Sequence, residues 1–349
     1  VMRRLAVAAA SLFLLTACGS KDPGAEQAPR PPRNEVTVAG FSLPGSVDER
    51  NWRRFEQNVN TWAPNLRLKM LIRGEGGPEE TQFSNLRRGR VQIVGGSFAG
   101  AAAIVPELAV LSAPYLFESQ AEADYVMDEV LLEPFRRLFA EQGLRLLQWL
   151  DIGWVNLYAR RPILTPADAR GARLRAASSV ASQEFIAAVG GDMISLPFPD
   201  ILPALQTGLI DGGVTTITMY SLGGLAAEAP HYVLTEHSYD VGVLLANRDW
   251  FLALTPHDRD VFQQAFGSAG QARLDAREAV RELAARFESE GVSVHRPGPQ
   301  ERRAWMEAAR PAHAAIIRKA GGRSQEIYDL ILRGKADFAA RQAAPADTP

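Results

Sequence analysis

Strand-like and helix-like segments alternate along the chain from Val36 onward, and this alternation limits the possible folds more than any other feature of the sequence. Residues 36–41 and 66–72 have the composition and alternation of strands. The helix between them is expected to be capped by Asp48 and to place its apolar side chains on one face. A helix from residue 78 and a short strand at 91–94 follow. This order predicts a parallel α/β domain with helices on both faces of the sheet.

A second α/β unit is expected to begin near Gly153. Strands are predicted on either side of this glycine and farther along the chain, at 144–150, 155–159, 173–176, 193–196 and 239–246. The last of these would return the chain to the first unit. The chain is therefore predicted to form domain I from residues 36–152 plus 241–280, and domain II from residues 153–240 plus 281–340.

A long helical stretch is predicted to follow Thr255 and to reach about Glu290. Only Gly267 and Gly270 interrupt its pattern, and Pro256 stands at its first position. A helix of this length can lie across both domains.

The composition restricts the classes of function. The chain has 349 residues, 46% of them hydrophobic and 22% charged, which is typical of a soluble globular protein. Its net charge of -2 leaves no basic excess to neutralise phosphates, so nucleic acid is not an expected partner. The single cysteine excludes an intramolecular disulfide and a metal site built from several thiolates.

The first eighteen residues have the parts of a secretory signal peptide. Arg3 and Arg4 form a charged start, and residues 5–15 are an apolar run too short to span a bilayer. The Leu-Thr-Ala-Cys sequence ending at Cys18 resembles the lipobox of bacterial lipoproteins, in which the cysteine is lipidated. Residues 19–35 contain four prolines and no aromatic side chain, so they are predicted to be a disordered tether between the anchor and the body.

Motifs for catalysis are scarce. The five histidines form no ligand-spaced pair, and neither a P-loop nor a complete dinucleotide fingerprint occurs. Ser97 lies in a Gly-Gly-Ser-Phe-Ala-Gly run that nearly matches a nucleophile elbow, but its last glycine comes one place too late. We therefore expect no cofactor, no metal and no enzyme activity. A secreted serine hydrolase using Ser97 is one alternative, and a receptor that presents its ligand to a signalling partner is another.

Three segments of the body resemble the solute receptors of TRAP transporters. Residues 89–117 end in a Pro-Glu-x-x-x-x-x-x-Pro-Tyr-x-Phe pattern, and residues 161–175 read RPILTPADARGARLR. The third and most specific match is the run PFPDILPALQTGLIDG at 197–212. The resemblance extends over roughly Val36 to Phe338. It implies a two-domain periplasmic-binding-protein-like α/β fold with a hinge, and a periplasmic receptor that hands an organic acid to a sodium-coupled membrane permease.

The resemblance also implies the principal ligand contact, because the arginine at the end of the second segment usually forms a salt bridge with the ligand carboxylate. That residue is Arg175. A guanidinium presents a planar fork of donors that matches a carboxylate. Arg173, two residues away on the predicted strand, is expected to be a structural or surface charge.

Other contacts are expected where this chain departs from the family pattern. Val214 replaces the usual glutamate, so Thr215 holds the position from which a polar contact is often supplied, and Val155 stands where some members have a second arginine. The loss of a cation favours a monocarboxylate with an apolar body. The further candidate contacts are Ser97, Phe98, Trp154, Phe198 and Tyr220, with Ser42 and Asp48 as weaker ones.

Overall fold

The computed structural model describes residues 34–287 and 289–343, which form nine strands and fifteen α-helices. The strands are β1 Glu35–Ala39, β2 Arg67–Leu71, β3 Ile93–Ser97, β4 Leu144–Ala159, β5 Arg173–Ala176, β6 Asp192–Ser195, β7 Gly212–Thr216, β8 His231–Asn247 and β9 Ser293–His295. The helices are α1 Val47–Trp62, α2 Glu79–Arg87, α3 Phe98–Ala101, α4 Gln120–Tyr125, α5 Leu132–Glu141, α6 Pro166–Ala169, α7 Val180–Ala188, α8 Ile201–Gln206, α9 Ile217–Leu222, α10 Arg248–Ala253, α11 Pro256–Gln264, α12 Ala269–Arg286, α13 Pro299–Ala309, α14 Pro311–Ala320 and α15 Ser324–Ala343. A π-helical segment, Val126–Leu131, joins α4 to α5, and a 3-10 segment, Pro106–Ser112, follows α3.

The predicted α/β class is confirmed. One mixed sheet has the strand order β2-β1-β3-β8-β4-β7-β5-β6, with β9 beside β8. β1 is parallel to β2 and β3, and β5 is parallel to β6 and β7. The two parallel groups are joined by β8 and β4, which run antiparallel to each other; β8 is also antiparallel to β3 and parallel to β9, and β4 is antiparallel to β7. The prediction that β8 returns the chain to the first group is confirmed, because β8 pairs with β3.

The central strands are longer than the sequence predicted. The strands expected at 144–150 and 155–159 are one strand of 16 residues, and β8 has 17 residues. The pairing of β4 with β8 shifts register at three places, one of them between Asp151 and Gly153. Gly153 has a φ of 106°, which only glycine adopts at low cost, so the glycine that suggested a domain boundary lies at an irregularity within a continuous strand.

Two helix predictions need correction. Ser46, not Asp48, caps α1, because the Ser46 hydroxyl accepts a hydrogen bond from the Glu49 N–H at 3.0 Å and Asp48 lies in the first turn. The stretch predicted to run from Thr255 to Glu290 is two helices, α11 and α12. The chain turns at Gly267, whose φ is 89°, and restarts at the Ser268 cap. α12 contacts α1, β4 and α9, and therefore lies across elements of both predicted domains.

The C-terminal helices pack against the first half of the chain. α15 contacts the segments 106–112 and 126–131, and α14 contacts both segment 106–112 and α7. Ile316 and Ile331 of these helices share a buried apolar cluster with Phe83 and Trp149. Residues 311–343 therefore do not lie with domain II alone, as the predicted range 281–340 implies, because their apolar faces are covered by the first half.

The predicted N-terminal features lie mostly outside the described residues. Cys18, the signal peptide at 1–18 and residues 19–33 of the tether are among them. β1 begins at Glu35, the last residue of the predicted tether. No helix among residues 34–287 and 289–343 is long and apolar enough to cross a membrane.

Candidate functional site

A cavity of about 740 Å³ lies along the carboxyl ends of the parallel strands. One wall is formed by the loop after β1, the start of α1, the start of α2 and the end of β3. The opposite wall is formed by the end of β5, the loop after it, the 3-10 turn Phe198–Asp200 and β7, and the floor by β4 and β8. Crevices at the carboxyl ends of strands, where the strand order changes, are the usual ligand sites of open α/β sheets.

Arg175 is the residue whose position most limits what the cavity can bind. It lies on β5, and only 7% of its surface is exposed. Its Nε donates to the carbonyl of Leu196 at 2.9 Å, and its Nη1 donates to the carbonyl of Val214 at 3.4 Å. Both partners are neutral backbone groups, which orient the guanidinium without neutralising it. Burial lowers the pKa of Arg175, yet an arginine remains charged in any such setting.

Glycine at 213 makes this placement possible. A Cβ at position 213 would lie 2.6 Å from the Tyr158 hydroxyl oxygen and 2.9 Å from the Arg175 carbonyl oxygen and Cβ. β7 can approach β5 and β4 at this point only because no side chain stands between them.

Thr215 and Phe198 also line the cavity, as predicted. Thr215 is nearly buried on β7, and the ring of Phe198 packs edge-on against Phe41 at 5.9 Å between centroids. Phe41, from the loop after β1, lies on the opposite wall and was not among the predicted contacts. The aromatic pair therefore closes the cavity from two sides.

Ser97 lines the cavity but is engaged with Glu79. The Ser97 hydroxyl donates to Glu79 Oε2 at 2.5 Å and accepts from the Gly100 N–H at 3.2 Å, which caps α3. Among the described residues no histidine forms a hydrogen bond with this hydroxyl. The glycines around it serve a steric purpose, because a Cβ at Gly96 would lie 2.9 Å from Glu79 Oε1.

Three predicted contacts do not line the cavity. Phe98 is 1% exposed and packs edge-on against Trp149 at 5.8 Å. Tyr220 is fully buried, and its hydroxyl donates to the Ala229 carbonyl at 2.8 Å. Trp154 packs on Tyr239 at 4.9 Å, because strand alternation turns it away from the face that Val155 presents to the cavity. These aromatic side chains belong to the core.

The weaker candidates Ser42 and Asp48 do line the cavity. The Ser42 hydroxyl donates to the Ile72 carbonyl at 2.9 Å, so its role is partly structural. Burial raises the pKa of Asp48 to about 6.

Five acids that line the cavity were not among the predicted contacts: Glu79, Glu80, Asp151, Asp200 and Asp240. Two of them lie on the central strands. Asp240 lies on β8 opposite Gly153, and burial together with the nearby Glu79 carboxyl raises its pKa to about 7. Burial also raises the pKa of Asp151, whose carboxylate accepts hydrogen bonds from the Tyr239 hydroxyl at 2.6 Å and from Arg277 Nε at 2.9 Å. Their only signal in the sequence was their position at the predicted crossings between domains.

His237 contributes a neutral ring to the cavity wall. It stacks on Phe185 with 3.7 Å between centroids, and burial lowers its pKa to about 3. Its Nδ1 is 2.8 Å from the Thr235 hydroxyl oxygen. The interpretation of the histidines as core or surface residues therefore holds for His237.

Several buried polar atoms of the lining residues have no protein partner in the described part of the chain. They are Asn51 Oδ1, Gln82 Oε1 and Thr216 Oγ1. A buried polar atom without a partner costs roughly 1–3 kcal/mol, so such atoms commonly mark where a ligand or water completes the hydrogen bonding. The described residues hold no cluster of side chains suited to a metal ion.

Comparison with known sequences gives a consistent result. The model of the family described as bacterial extracellular solute-binding protein, family 7, matches residues 49–320. The ectoine-binding periplasmic protein TeaA of Halomonas elongata is 27% identical over 280 residues, covering 77% of this chain and 80% of that protein. The 2,3-diketo-L-gulonate-binding periplasmic protein YiaO of Escherichia coli is 26% identical over 207 residues, covering 59% of this chain and 62% of that protein.

Solved structures share the fold. The ectoine-binding protein of the TeaABC TRAP transporter of Halomonas elongata aligns with a TM-score of 0.78 at 25% identity, covering 88% of this chain and 99% of that one. The sugar acid binding protein DctPAm of Advenella mimigardefordensis, solved with galactonate, aligns with a TM-score of 0.79 at 23% identity, covering 86% of this chain and 98% of that one. The two-domain architecture expected from the sequence is therefore confirmed.

Proposed function

The chain belongs to family 7 of the bacterial extracellular solute-binding proteins, the TRAP-type receptors, and on this basis we propose that its cavity captures an organic acid through Arg175. The cavity lies at the carboxyl ends of the strands, where open α/β sheets usually bind ligands. Arg175, Thr215, Phe198 and Ser97 all line it.

The observation that carries the proposal is the buried guanidinium of Arg175, whose hydrogen-bond partners among the described residues are carbonyl oxygens alone. Burying a charge is costly unless an opposite charge accompanies it. A ligand carboxylate would supply that charge and would form the charge-assisted, two-pronged contact that a guanidinium favours.

The ligands named for similar proteins support the same chemical class. Ectoine, 2,3-diketo-L-gulonate and galactonate all carry a carboxylate. Their remaining parts differ widely in polarity, so the carboxylate is the feature that they share. Phe41 and Phe198 on opposite walls favour a ligand with some apolar surface in this chain.

We propose that the receptor closes on its ligand by bending at the central strands. Glu80 of α2 accepts a hydrogen bond from the Ser178 hydroxyl, which belongs to the opposite wall, so the two walls already meet at this point. Closure would exclude water and strengthen the attraction between Arg175 and a carboxylate. The closed form would then be the one that a sodium-coupled permease recognises.

The anchoring and localisation proposed for the chain rest on the sequence. Cys18 lies outside the described residues, and its role as a lipidated anchor in the periplasm is part of the proposal.

Thermal denaturation with a panel of organic acids tests the proposed function. A ligand that binds the native state raises the melting temperature by mass action, by an amount that grows with the logarithm of its concentration. We expect at least one carboxylate to stabilise the full chain, and the same compound to leave the Arg175→Ala variant unchanged. Stabilisation only by compounds without a carboxylate would overturn the proposal, and hydrolysis of a panel ester would point to the Ser97 alternative.

A further inference from the structure

The cavity has a large excess of acidic side chains. Among the described residues that line it, six bear carboxyl groups and one bears a permanent positive charge, Arg175. The six are Asp48, Glu79, Glu80, Asp151, Asp200 and Asp240. A receptor for a simple anion gains nothing from this arrangement, because like charges in a poorly solvated cavity repel the ligand.

Five of these acids have a local reason for their placement. Asp48 lies in the first turn of α1, where the N–H groups at the helix N-terminus favour a carboxylate. Asp151 is paired with Arg277, and Glu80 accepts from Ser178. Glu79 accepts from the Ser97 hydroxyl and from the Ser97 N–H at 3.1 Å. Asp200 is exposed at the mouth of the cavity, where water screens it.

Asp240 has no such reason. Its side chain is mostly withdrawn from solvent, and no hydrogen bond or ion pair joins its carboxyl to another side chain of the described residues. It lies on the floor of the cavity two residues before Gly242, which pairs with Ser97, and the Ser97 hydroxyl donates to Glu79. The strand pairing therefore brings Asp240 and Glu79 to the same end of the cavity, and burial together with the Glu79 carboxyl raises the pKa of Asp240.

A second and independent observation is the buried guanidinium of Arg175, which the same cavity leaves without a carboxylate partner although six are present. The positive charge of Arg175 is on β5 and the carboxyl of Asp240 is on β8, and the two groups line different parts of one cavity. A ligand with a negative charge at one end and a positive charge at the other would complement both groups.

We propose that the ligand is a zwitterion, whose carboxylate binds Arg175 and whose cationic nitrogen binds Asp240 and Glu79. The inference rests on the proposed function and deepens it, by naming the class of organic acid. Compounds of this class include amino acids, betaines and cyclic amidinium carboxylates.

A hydroxyl-rich carboxylate ligand would interact less favourably with the carboxyl groups of Asp240 and Glu79 than a zwitterion would. Hydroxyl groups can donate to Asp240 and Glu79, but they leave the repulsion between two neighbouring carboxylates in place. A cation between them removes that repulsion and supplies the missing charge. The apolar pair of Phe41 and Phe198 suits the hydrocarbon part that separates the two charges of such a ligand, or the methyl groups of a quaternary ammonium.

Isosteric pairs of probes test the inference on the full chain. Glycine betaine and 3,3-dimethylbutanoate have the same shape and differ in a quaternary nitrogen in place of carbon, and L-proline and cyclopentanecarboxylate differ in a ring ammonium. D-gluconate represents the hydroxyl-rich acids. Dissociation constants measured by calorimetry or ligand-observed NMR should favour the zwitterion of at least one pair by roughly tenfold or more.

Asp240→Asn supplies the decisive variant. We expect it to weaken the zwitterion by at least tenfold and to strengthen its uncharged-tail isostere, because it removes a negative charge that attracts one and repels the other. Asp260→Asn is the matched control, since it removes the same charge from an exposed position of α11 outside the cavity lining, and it should change both constants by less than about twofold. A melting temperature for each variant without ligand shows that it is folded.

The outcomes separate the two proposals. If carboxylates bind through Arg175 but the isosteres or D-gluconate bind as tightly as the zwitterions, the zwitterion inference is wrong and the proposed function stands. A loss of zwitterion affinity in Asp240→Asn without a gain for the isostere shows a merely structural role for Asp240 and also overturns the inference. Failure of every probe to bind counts against both proposals.

Discussion

Arg173 and Arg175 lie two residues apart on β5, but Arg173 is paired with a carboxylate at the surface whereas Arg175 is buried against backbone carbonyl groups. The Nη2 and Nε of Arg173 donate to the Asp211 carboxylate at 2.8 and 3.1 Å, at the protein surface. Arg175 is buried, and within residues 34–287 and 289–343 it donates to carbonyl oxygens alone. The expectation that Arg173 is a structural surface charge is confirmed, and the pair supplies an internal control for the ligand site.

Replacing Arg175 by alanine should remove detectable carboxylate binding while the fold is retained. Losing one member of a desolvated charge pair costs about 2–5 kcal/mol, or roughly 30- to 5,000-fold in affinity. Arg175→Lys should restore little, because a lysine has the charge without the planar fork. Arg173→Ala should change affinity by less than about threefold. Calorimetry on the three variants checks this, and equal losses at both positions would indicate a diffuse electrostatic effect.

Gly213→Ala should weaken both stability and binding. The new Cβ would lie 2.6 Å from the Tyr158 hydroxyl oxygen and 2.9 Å from Arg175, so β7 or β5 must shift. Overpacking of this kind costs roughly 1–3 kcal/mol. Denaturant unfolding and ligand titration measure the two effects. Gly270→Ala is the control, since a Cβ there meets nothing within 4 Å, and in α12 it should be neutral or slightly stabilising. Unchanged affinity in Gly213→Ala would show that the close approach does not position Arg175.

Asp240 should make the unliganded protein less stable as the pH rises. Its pKa is 3.8 in the reference state and about 7 in the folded protein, so the folded state binds more protons between these values. Its stabilising contribution is therefore complete below 3.8 and is lost as the pH rises through about 7. Burial also raises the pKa values of Glu79, Asp48 and Asp151, so these groups contribute a pH dependence of the same sign.

The variant Asp240→Asn should flatten this dependence. We expect a gain on the order of 1 kcal/mol at about pH 8, and a much smaller one at about pH 4. Melting temperatures across this range provide the measurement, with Asp200→Asn as the exposed control. A parallel pH dependence of parent and Asp240→Asn would show that Asp240 is not the titrating group.

Ligand binding should compact the molecule. Small-angle scattering should give a smaller radius of gyration with saturating ligand than without it, because the walls that meet at Glu80 and Ser178 would close along their length. The Arg175→Ala variant at the same ligand concentration should show no change. An equal radius for the free and saturated parent would indicate a rigid pocket.

Cys18→Ser should release the protein from the membrane without changing ligand affinity. The reason is the lipobox-like sequence that ends at Cys18. A proline-rich segment separates this cysteine from the ligand-binding body, so the substitution should leave affinity unchanged. Detergent-phase partitioning compares parent and variant, and titration of both with the same ligand is the control. Identical partitioning would exclude lipidation at this residue.

The elements of the fold were largely predictable, because strands and helices differ in hydrophobic period. The joining of predicted strands into β4 was not, since Gly153 has the appearance of a boundary and only pairing with β8 keeps the strand continuous. The packing of α14 and α15 against the first half of the chain could not be predicted either. Their apolar faces indicate that another part of the protein covers these helices, but a local pattern does not show which part.

Of the charged residues that line the cavity, Arg175 and Asp48 could be named from the sequence and the other acids could not. Arg175 was identified through a sequence motif, whereas Asp240 and Asp151 lie on strands whose side chains are brought to the cavity only by the crossing of β8 and β4. Aromatic residues were the least predictable. Phe98 and Tyr220 have the same local character as Phe41 and Phe198, and which of them line the cavity depends on how the helices pack.

The long strands β4 and β8 have a consequence for how such a receptor can change its specificity over time. Because β4 and β8 pair with each other along their length and join the two parallel groups, replacing either half would leave unpaired backbone on these strands. Exchange of whole modules, which multidomain proteins with flexible linkers permit, is closed to this architecture. We therefore expect a change of ligand to arise from replacements in the cavity wall, to which both groups of parallel strands contribute side chains.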